Sequence, residues 1–384
     1  MSDAHVILER LAASAGLRMP AALTVAITGA CNQRCRHCFV EAGLPGAAGD
    51  APVRELLRLA DELAALGGRA IRLTGGEPLS HPEWPAILSH CCSLATLASV
   101  RIQTNASLVD GAGAAELAAL ANGKLLFEVS LDGTSPQTHD RVRGRGSWAK
   151  TMAGLERLTA AGLAGRVEIA FTEMRHNMED LPELLDLGER LQLRAIVGGT
   201  LVKHGSAARA ALEPPAPDQY RALLARYHSD ARFRALYEKR GRLSAIEWWK
   251  GRLGARGSPC NFLDHPYVAS DGTLYPCLLC HDGDFSVARA FERPLAAALA
   301  EGIPRWAELQ RLARDRSEAL SASACRECPA KLACAGGCMG RAHAAGGSLA
   351  ETEDRCALRQ AAFAWTAEAE GDAPAPCPCA WACR

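Results

Sequence analysis

The chain has 384 residues, 48% of them hydrophobic, which is enough for a sizeable core and for two or three domains. Its 43 Lys and Arg equal its 43 Asp and Glu, which excludes a broad electrostatic case for nucleic acid or an anionic membrane as partner and leaves only local patches. No stretch approaches the roughly 18 uninterrupted apolar residues of a membrane span, and the N-terminal "MSDAHVILERLAASAGLRMP" lacks a long apolar region and a small-residue cleavage site.

A cytoplasmic location is therefore expected. In that reducing compartment 16 cysteines read as metal ligands rather than as a disulfide framework. Only Cys91 and Cys92 fall between Cys38 and Cys260, whereas eleven cysteines follow from Cys260 onward. This distribution implies a front domain with one cysteine site and a back domain built around others.

In chain order, "LTVAIT" (23–28), "AIRLTG" (70–75), "ASVRIQT" (98–104), "LLFEVSLD" (125–132), "RVEIAFTE" (166–173) and "RAIVGGTL" (194–201) are short apolar or β-branched runs that predict strands. Between them, stretches such as "VRELLRLADELAAL" (53–66) and "MAGLERLTAAGL" (152–163) carry apolar residues three or four apart and predict helices. Six such units imply an α/β fold with a parallel sheet and right-handed crossovers, open or curled into a partial barrel. Ligands of such sheets sit at the carboxyl ends of the strands.

Four motifs lie at those ends. "TGACNQRCRHCFVEAG" (28–43) follows the first strand and holds Cys31, Cys35 and Cys38. His37 is poorly placed to share the metal of its neighbour Cys38, so the triplet does not complete a tetrahedral zinc site. A four-iron cluster on three cysteines would leave one iron open for another ligand. "TGGEPL" (74–79) ends the second strand, with two glycines that let the backbone approach a ligand and a carboxylate on Glu77. "QTNASL" (103–108) ends the third, and "VSLDGTSPQTHDRVRG" (129–144) the fourth.

This set resembles the radical S-adenosylmethionine (SAM) superfamily. The resemblance implies a partial (β/α)6 TIM-like barrel. It implies that Cys31, Cys35 and Cys38, followed by Phe39, hold a SAM-binding 4Fe-4S cluster, and that Gly75, Gly76, Glu77 and Pro78 form the motif whose backbone and acid receive the methionyl amino group. Thr104 and Asn105 match a binding position by place. Ser130 and Asp132 are implied near the SAM ribose or carboxylate, and Arg141 or Arg143 near the carboxylate. For Asp132 and Gly133 a plain turn is an equal alternative. Asn177 resembles a family position after the fifth strand and is expected to cap the next helix. Glu173 and His176 are expected to be solvent-facing or next to a cap, with no catalytic role. The implied chemistry is one-electron cleavage of SAM to a 5′-deoxyadenosyl radical that abstracts a substrate hydrogen.

In the back half, Cys260 is followed by Gly272 and Cys277, then by Cys325, Cys328, Cys334 and Cys338, and finally by Cys356. This order resembles the SPASM domain, which implies two auxiliary 4Fe-4S clusters and three clusters in all. The carry-over assigns Cys260, Cys277 and Cys338 to the first and Cys325, Cys328, Cys334 and Cys356 to the second; the alternative is a pair of zinc ribbons. Some family members supply a fourth thiolate about six residues before the first cysteine, and "GRLGARGSP" (251–259) has none. Either that cluster keeps an open iron or a thiolate such as Cys280 fills the place. Leu278 stands where sulfatase maturases carry an acid, which disfavours that activity.

The expected organisation is an N-terminal segment (1–22), a radical SAM partial barrel (23–205), a linker with bridging helices (206–255), a SPASM domain (256–360) and a tail (361–384) with Cys377, Cys379 and Cys383. Cys91 and Cys92 are expected to be core residues, and Trp248 and Trp249 to pack an interface rather than line a substrate channel. By family analogy the substrate is a ribosomally made peptide, with a flavodoxin or ferredoxin as electron donor. With 22 residues ahead of the first strand, a front recognition domain is not expected, so a separate recognition protein or direct leader binding is. Alternatives are a small-molecule substrate (sugar, tetrapyrrole or amino-alcohol) and a non-enzymatic zinc-binding interaction protein.

Overall fold

A computed structural model of the chain describes residues 3–44, 46–252, 260, 262–334 and 336–366. Helix α1 (Asp3–Ser14) precedes strand β1 (Ala22–Thr28), after which the chain alternates: α2 (Val53–Ala65), β2 (Ala70–Gly75), α3 (Trp84–Ser93), β3 (Ser99–Thr104), α4 (Gly111–Leu120), β4 (Leu125–Ser130), α5 (Pro136–Arg143), α6 (Ser147–Ala160), β5 (Val167–Glu173), α7 (Leu181–Arg190) and β6 (Ala195–Thr200). The six strands pair in chain order and all run parallel. The chain thus has the expected α/β architecture.

Period-two patterning decides what each face does. In register, Leu23 pairs with Ile71, Ile71 with Val100, Val100 with Leu125, Phe127 with Val167 and Ile169 with Ile196. All are buried, and they carry the helices. Helix α2 meets this face with Leu56, Leu59, Ala60 and Leu63. The alternate positions Arg72, Arg101, Gln103, Glu128 and Glu168 line a cavity inside the curl of the sheet.

Most boundaries fall within one residue of expectation, and those of β4 and α6 differ by more. Strand β4 ends at Ser130 rather than at 132. Helix α6 starts at Ser147, ahead of the apolar pattern, because the Asp140 carboxylate accepts from the amides of Gly146 and Trp148 at 2.6 and 2.7 Å and caps it from outside. Cys91 and Cys92 are buried in α3, as the sequence indicates for core residues.

Beyond β6 come α8 (Ser206–Arg209), α9 (Pro217–Ser229), α10 (Ala231–Arg240), the short β7 (Gly241–Arg242) and α11 (Ser244–Gly251). They are followed by β8 (Tyr267–Val268), β9 (Thr273–Tyr275), β10 (Ala288–Arg289), α12 (Leu295–Ala322), α13 (Lys331–Cys334), α14 (Met339–Gly346) and α15 (Cys356–Ala364). The cysteine-rich half does not stand apart from the sheet. Strand β8 pairs parallel with β1 and antiparallel with β9, so the described strands form one ten-stranded sheet. The tight turn between β8 and β9 requires glycine at 272: its φ is +85°, and a Cβ would lie 2.5 Å from the Phe291 ring.

Trp248 and Trp249 pack rather than line the cavity. Tyr220 meets Trp248 edge-on at 5.9 Å with the Arg359 guanidinium 4.4 Å above its ring, while Trp249 touches Tyr227, His228 and Trp365. These contacts bind α11 to α9 and α15. Cys377, Cys379 and Cys383, and most of 251–259, lie outside the described residues.

Candidate active site

The cavity has a volume of about 740 Å³ and opens at the carboxyl ends of the strands. Of the residues singled out from sequence, Cys31, Cys35, Cys38, Phe39, Gly75, Gly76, Glu77, Thr104, Asn105, Ser130 and Arg143 all line it. Pro78 begins the helical turn behind Glu77 and is buried.

Backbone pairing holds the cysteine loop to the glycine motif. Gly76 N–H donates to Thr28 O and Glu77 N–H to Ala30 O, each at 2.8 Å. A Cβ on Gly75, whose φ is +143°, would lie 2.2 Å from Thr28 O, and one on Gly76 would lie 2.0 Å from Ala30 O. Both neighbours are main chain and cannot move aside, so the approach requires glycine twice.

Glu77 is buried, and burial raises its pKa against the hydrogen bonds it accepts. Its Oε1 receives the Thr104 hydroxyl at 2.6 Å and the Leu79 amide at 3.1 Å, and its Oε2 receives the Asn105 amide at 2.7 Å. A carboxylate offers about four acceptor positions. The remaining one, on Oε2 of a residue lining the cavity, suits an ammonium group.

Asp132 is turned away from ligand duty. It is fully buried, with Oδ2 taking Arg143 Nε at 2.6 Å and lying 3.2 Å from His37 Nε2, while Oδ1 takes the Thr172 amide at 2.7 Å. Burial alone would favour the acid form, but Arg143 and His37 override it and hold the carboxyl well below its usual range. His37 is thereby occupied with Asp132. Arg143 lines the cavity, whereas Arg141 is exposed outside it.

Two expectations need correction. Asn177 occupies the N-cap position of the turn at Met178–Asp180, but its side chain does not cap it. Instead its Oδ1 accepts from the Met174 amide and its Nδ2 donates to the carbonyls of Asp132 and Thr172, because Asn177 is buried under the β4 and β5 ends. Glu173 is not solvent-facing. It is 0% exposed and accepts the Tyr220 hydroxyl and the Ser244 amide, so it fastens α9 and α11 to β5; His176 is half-buried.

The donor chemistry of the first site suits a thiolate-held cluster, since three thiols line it and His37, which lines it beside them, is turned to Asp132. Burial pushes the Cys35 thiol up to about 11 despite the opposing Arg143 charge. Ionisation there calls for a metal, which takes the thiolate form. Among the described residues no three His, Cys, Asp or Glu side chains converge closely enough for a single metal ion. A four-iron cluster is larger than an ion and accepts wider spacing at its corners.

The back half brings two further cysteine groups together. Cys325, Cys328, Cys334 and Cys356 line one enclosed pocket with Lys331, Glu353 and Arg359. The Cys280 thiol stands within electrostatic reach of Cys260, Cys277 and Cys338. Glu353 joins the two groups: it accepts the Cys338 amide at 2.8 Å, Arg355 at 2.6 Å and Arg359 at 2.5 Å. Burial opposes its ionisation, yet the two arginines bring its pKa down to about 2. Arg341 ties α14 to the barrel through the carbonyls of Thr200 and Leu201 and is itself held by Asp354, just ahead of α15.

Sequence reasoning missed Glu353, Arg341 and a charged strip across the cavity floor. In that strip Arg72 and Arg101 both donate to Glu128, at 2.9 and 3.1 Å, and Arg101 also donates to Glu168 at 2.5 Å. The signal was available, since the runs "AIRLTG", "ASVRIQT", "LLFEVSLD" and "RVEIAFTE" each place a charge, Arg72, Arg101, Glu128 and Glu168, between apolar strand residues.

Residues 25–188 match the radical SAM superfamily. Over 46% of its length the chain is 33% identical to the mycofactocin maturase MftC of Mycobacterium ulcerans, covering 46% of that protein. The chain thus spans about half the length of the curated relatives it first matches. It is 28% identical to the PqqA peptide cyclase of Ruegeria pomeroyi over 88% of this chain and 87% of that one. It is also 28% identical to the AdoMet-dependent heme synthase of Methanosarcina barkeri, over 87% of this chain and 95% of that one. In fold it resembles anSMEcpe solved with bound AdoMet (TM-score 0.69, 15% identity, 90% of this chain and 96% of that one). It likewise resembles Streptococcus suis SuiB solved with its precursor peptide SuiA (TM-score 0.69, 15% identity, 91% and 79%).

Proposed function

We propose that the chain, whose residues 25–188 match the radical SAM superfamily, is an enzyme that cleaves SAM reductively and uses the resulting radical to modify a ribosomally made peptide. One observation carries the first part: the three thiols of Cys31, Cys35 and Cys38 share a cavity with the one unfilled acceptor position of Glu77. When bound, a 4Fe-4S cluster supplies the electron that splits SAM into methionine and a 5′-deoxyadenosyl radical.

The protein's own residues bind, orient and exclude water. Cys31, Cys35 and Cys38 hold the cluster and leave one corner for SAM. Glu77 takes the SAM ammonium, and the main chain at Gly75 and Gly76 lets it lie close. Arg143, kept in place by Asp132, faces the SAM carboxylate. Ser130, Thr104 and Asn105 border the remainder of the molecule, and Phe39 covers the cluster loop. The cysteines of the back half would hold auxiliary clusters, which would supply a route for electrons from a flavodoxin- or ferredoxin-like donor.

The peptide reading is supported by relatives named as a mycofactocin maturase and a PqqA peptide cyclase and by the fold shared with SuiB, solved with its precursor peptide. A second reading, a charged small molecule such as a tetrapyrrole, has its own observations. They are the long match to a heme synthase and the Arg72, Arg101, Glu128 and Glu168 strip on the cavity floor.

Anaerobic reconstitution followed by dithionite and SAM tests the first part, with 5′-deoxyadenosine as the readout. The wild-type chain forms it, and the variant with Cys31, Cys35 and Cys38 all changed to Ala does not. Cleavage retained in that variant removes the assignment. Adding a candidate precursor peptide or a tetrapyrrole and following product mass separates the two substrate readings.

A further inference from the structure

We propose that Cys280 is the fourth thiolate of the group formed by Cys260, Cys277 and Cys338, so that a four-iron cluster there has no open corner. The proposal rests on the reading of that group as an iron–sulfur site. It concerns one question that spacing leaves open, whether this auxiliary centre can bind substrate.

Cys277 and Cys280 face each other across an isolated β-bridge, with Cys280 N–H donating to Cys277 O at 3.1 Å. The Cys280 thiol turns inward, 2% exposed, and donates to the Cys277 sulfur. It is within electrostatic reach of Cys260 and Cys338 as well as Cys277. The turn is pinned to the helix that follows Cys338, since a Cβ on Gly340 would lie 2.5 Å from Leu279 O.

Main-chain amides point at the sulfurs of this group: Met339 N–H at Cys260, Arg341 N–H at Cys338, and Leu279 and Cys280 N–H at Cys277. Such donors stabilise thiolates and fix ligand orientation. A small core residue is the plain alternative for any buried cysteine, and Cys91 illustrates it, with only Cys92 as a thiol neighbour. Cys280 has three thiol neighbours, Cys277 in its own turn and Cys260 and Cys338 from two distant segments.

Its place also says what the centre faces. Leu278 lines the main cavity, so the turn sets its backbone between the cavity and the thiol group. His281, next to Cys280, meets Phe39, next to Cys38, edge-on at 5.7 Å. A fully ligated centre so placed would have no iron free for substrate and would supply electron transfer rather than substrate binding.

The test uses the full chain carrying Cys31→Ala, Cys35→Ala and Cys38→Ala, so that only auxiliary clusters remain. It is reconstituted anaerobically, reduced, and followed by iron content and by EPR and Mössbauer spectra with and without potassium cyanide. About eight irons per chain are expected, with spectra that cyanide leaves unchanged. Adding Cys280→Ala is expected either to create a cyanide-responsive signal or to remove about four irons while the second group's signal persists. Cys280→Ser keeps the side-chain volume and checks that the effect is not misfolding. The proposal is overturned if cyanide already alters the parent spectrum, or if Cys280→Ala matches the parent in iron content and cyanide response. A parent that takes up no iron and sulfide overturns the iron–sulfur reading itself, a distinguishable result.

Discussion

Arg143 donates from Nε to Oδ2 of Asp132 at 2.6 Å, and both side chains are buried, one at the end of α5 and the other just past β4. The pair converts two residues that looked alike as SAM contacts into unequal partners. Asp132 positions, and Arg143 is positioned to face the cavity.

Removing Arg143 leaves Asp132 as a buried charge with only His37 and the Thr172 amide to offset it. Arg143→Met is expected to lower stability by roughly 3–5 kcal/mol. Asp132→Asn together with Arg143→Met should recover part of that loss, since no lone charge remains. Urea unfolding measures both; a single variant within 1 kcal/mol or so of wild type would contradict the pairing.

Acid sensitivity follows from His139, which is fully buried and whose Nδ1 accepts the Asp132 amide at 3.1 Å. Burial first, then the Arg143 charge, lowers its pKa from 6.5 to about 4. The unfolded chain therefore binds this proton at higher pH than the folded one, and stability falls as pH drops from about 6.5 toward 4. The contribution across that window is about 3 kcal/mol. In His139→Gln the plot of stability against pH should flatten over this range, and an unchanged slope rules out His139 as its source.

Glu77→Gln preserves shape but replaces one acceptor oxygen with a donor NH2, next to three groups that already donate. SAM affinity is expected to fall at least tenfold, or about 1.4 kcal/mol, while cluster content stays at the wild-type level. Equilibrium dialysis with labelled SAM reads the first and iron analysis the second. Unaltered affinity would mean that the ammonium sits elsewhere.

Gly76→Ala drives a Cβ to 2.0 Å from Ala30 O, in main chain that carries Cys31. A loss of about 2 kcal/mol or more is expected, together with weaker SAM binding, because the cysteine loop must move. Gly123→Ala, where a Cβ meets nothing within 4 Å, is the control. Equal behaviour of the two variants would show that the close approach is unimportant.

Much of the site was readable before folding because its parts are short and local. Cys31, Cys35 and Cys38 lie within one loop, Gly75 to Pro78 within another, and strand periodicity puts both at the carboxyl rim. Glu173 and Asn177 were misjudged because nothing next to them in the chain shows that Tyr220, Ser244 and Asp132 will close over them. Helix α6 began early for the same reason, its cap being supplied by Asp140.

Alternation of apolar and polar residues determined the parallel α/β sheet and which ends of the strands bear function, since that information is carried by neighbours one to four residues apart. Cysteine spacing alone grouped the thiols of the front loop. Only the tertiary structure decided that the cysteine-rich half joins the same sheet through β8, that Asp132 serves Arg143, and that Cys280 meets Cys260, Cys277 and Cys338. Those relationships run from 11 residues between Asp132 and Arg143 to the 243 between Thr24 of β1 and Tyr267 of β8, and burial and charge pairing select such partners among many that local pattern leaves equivalent.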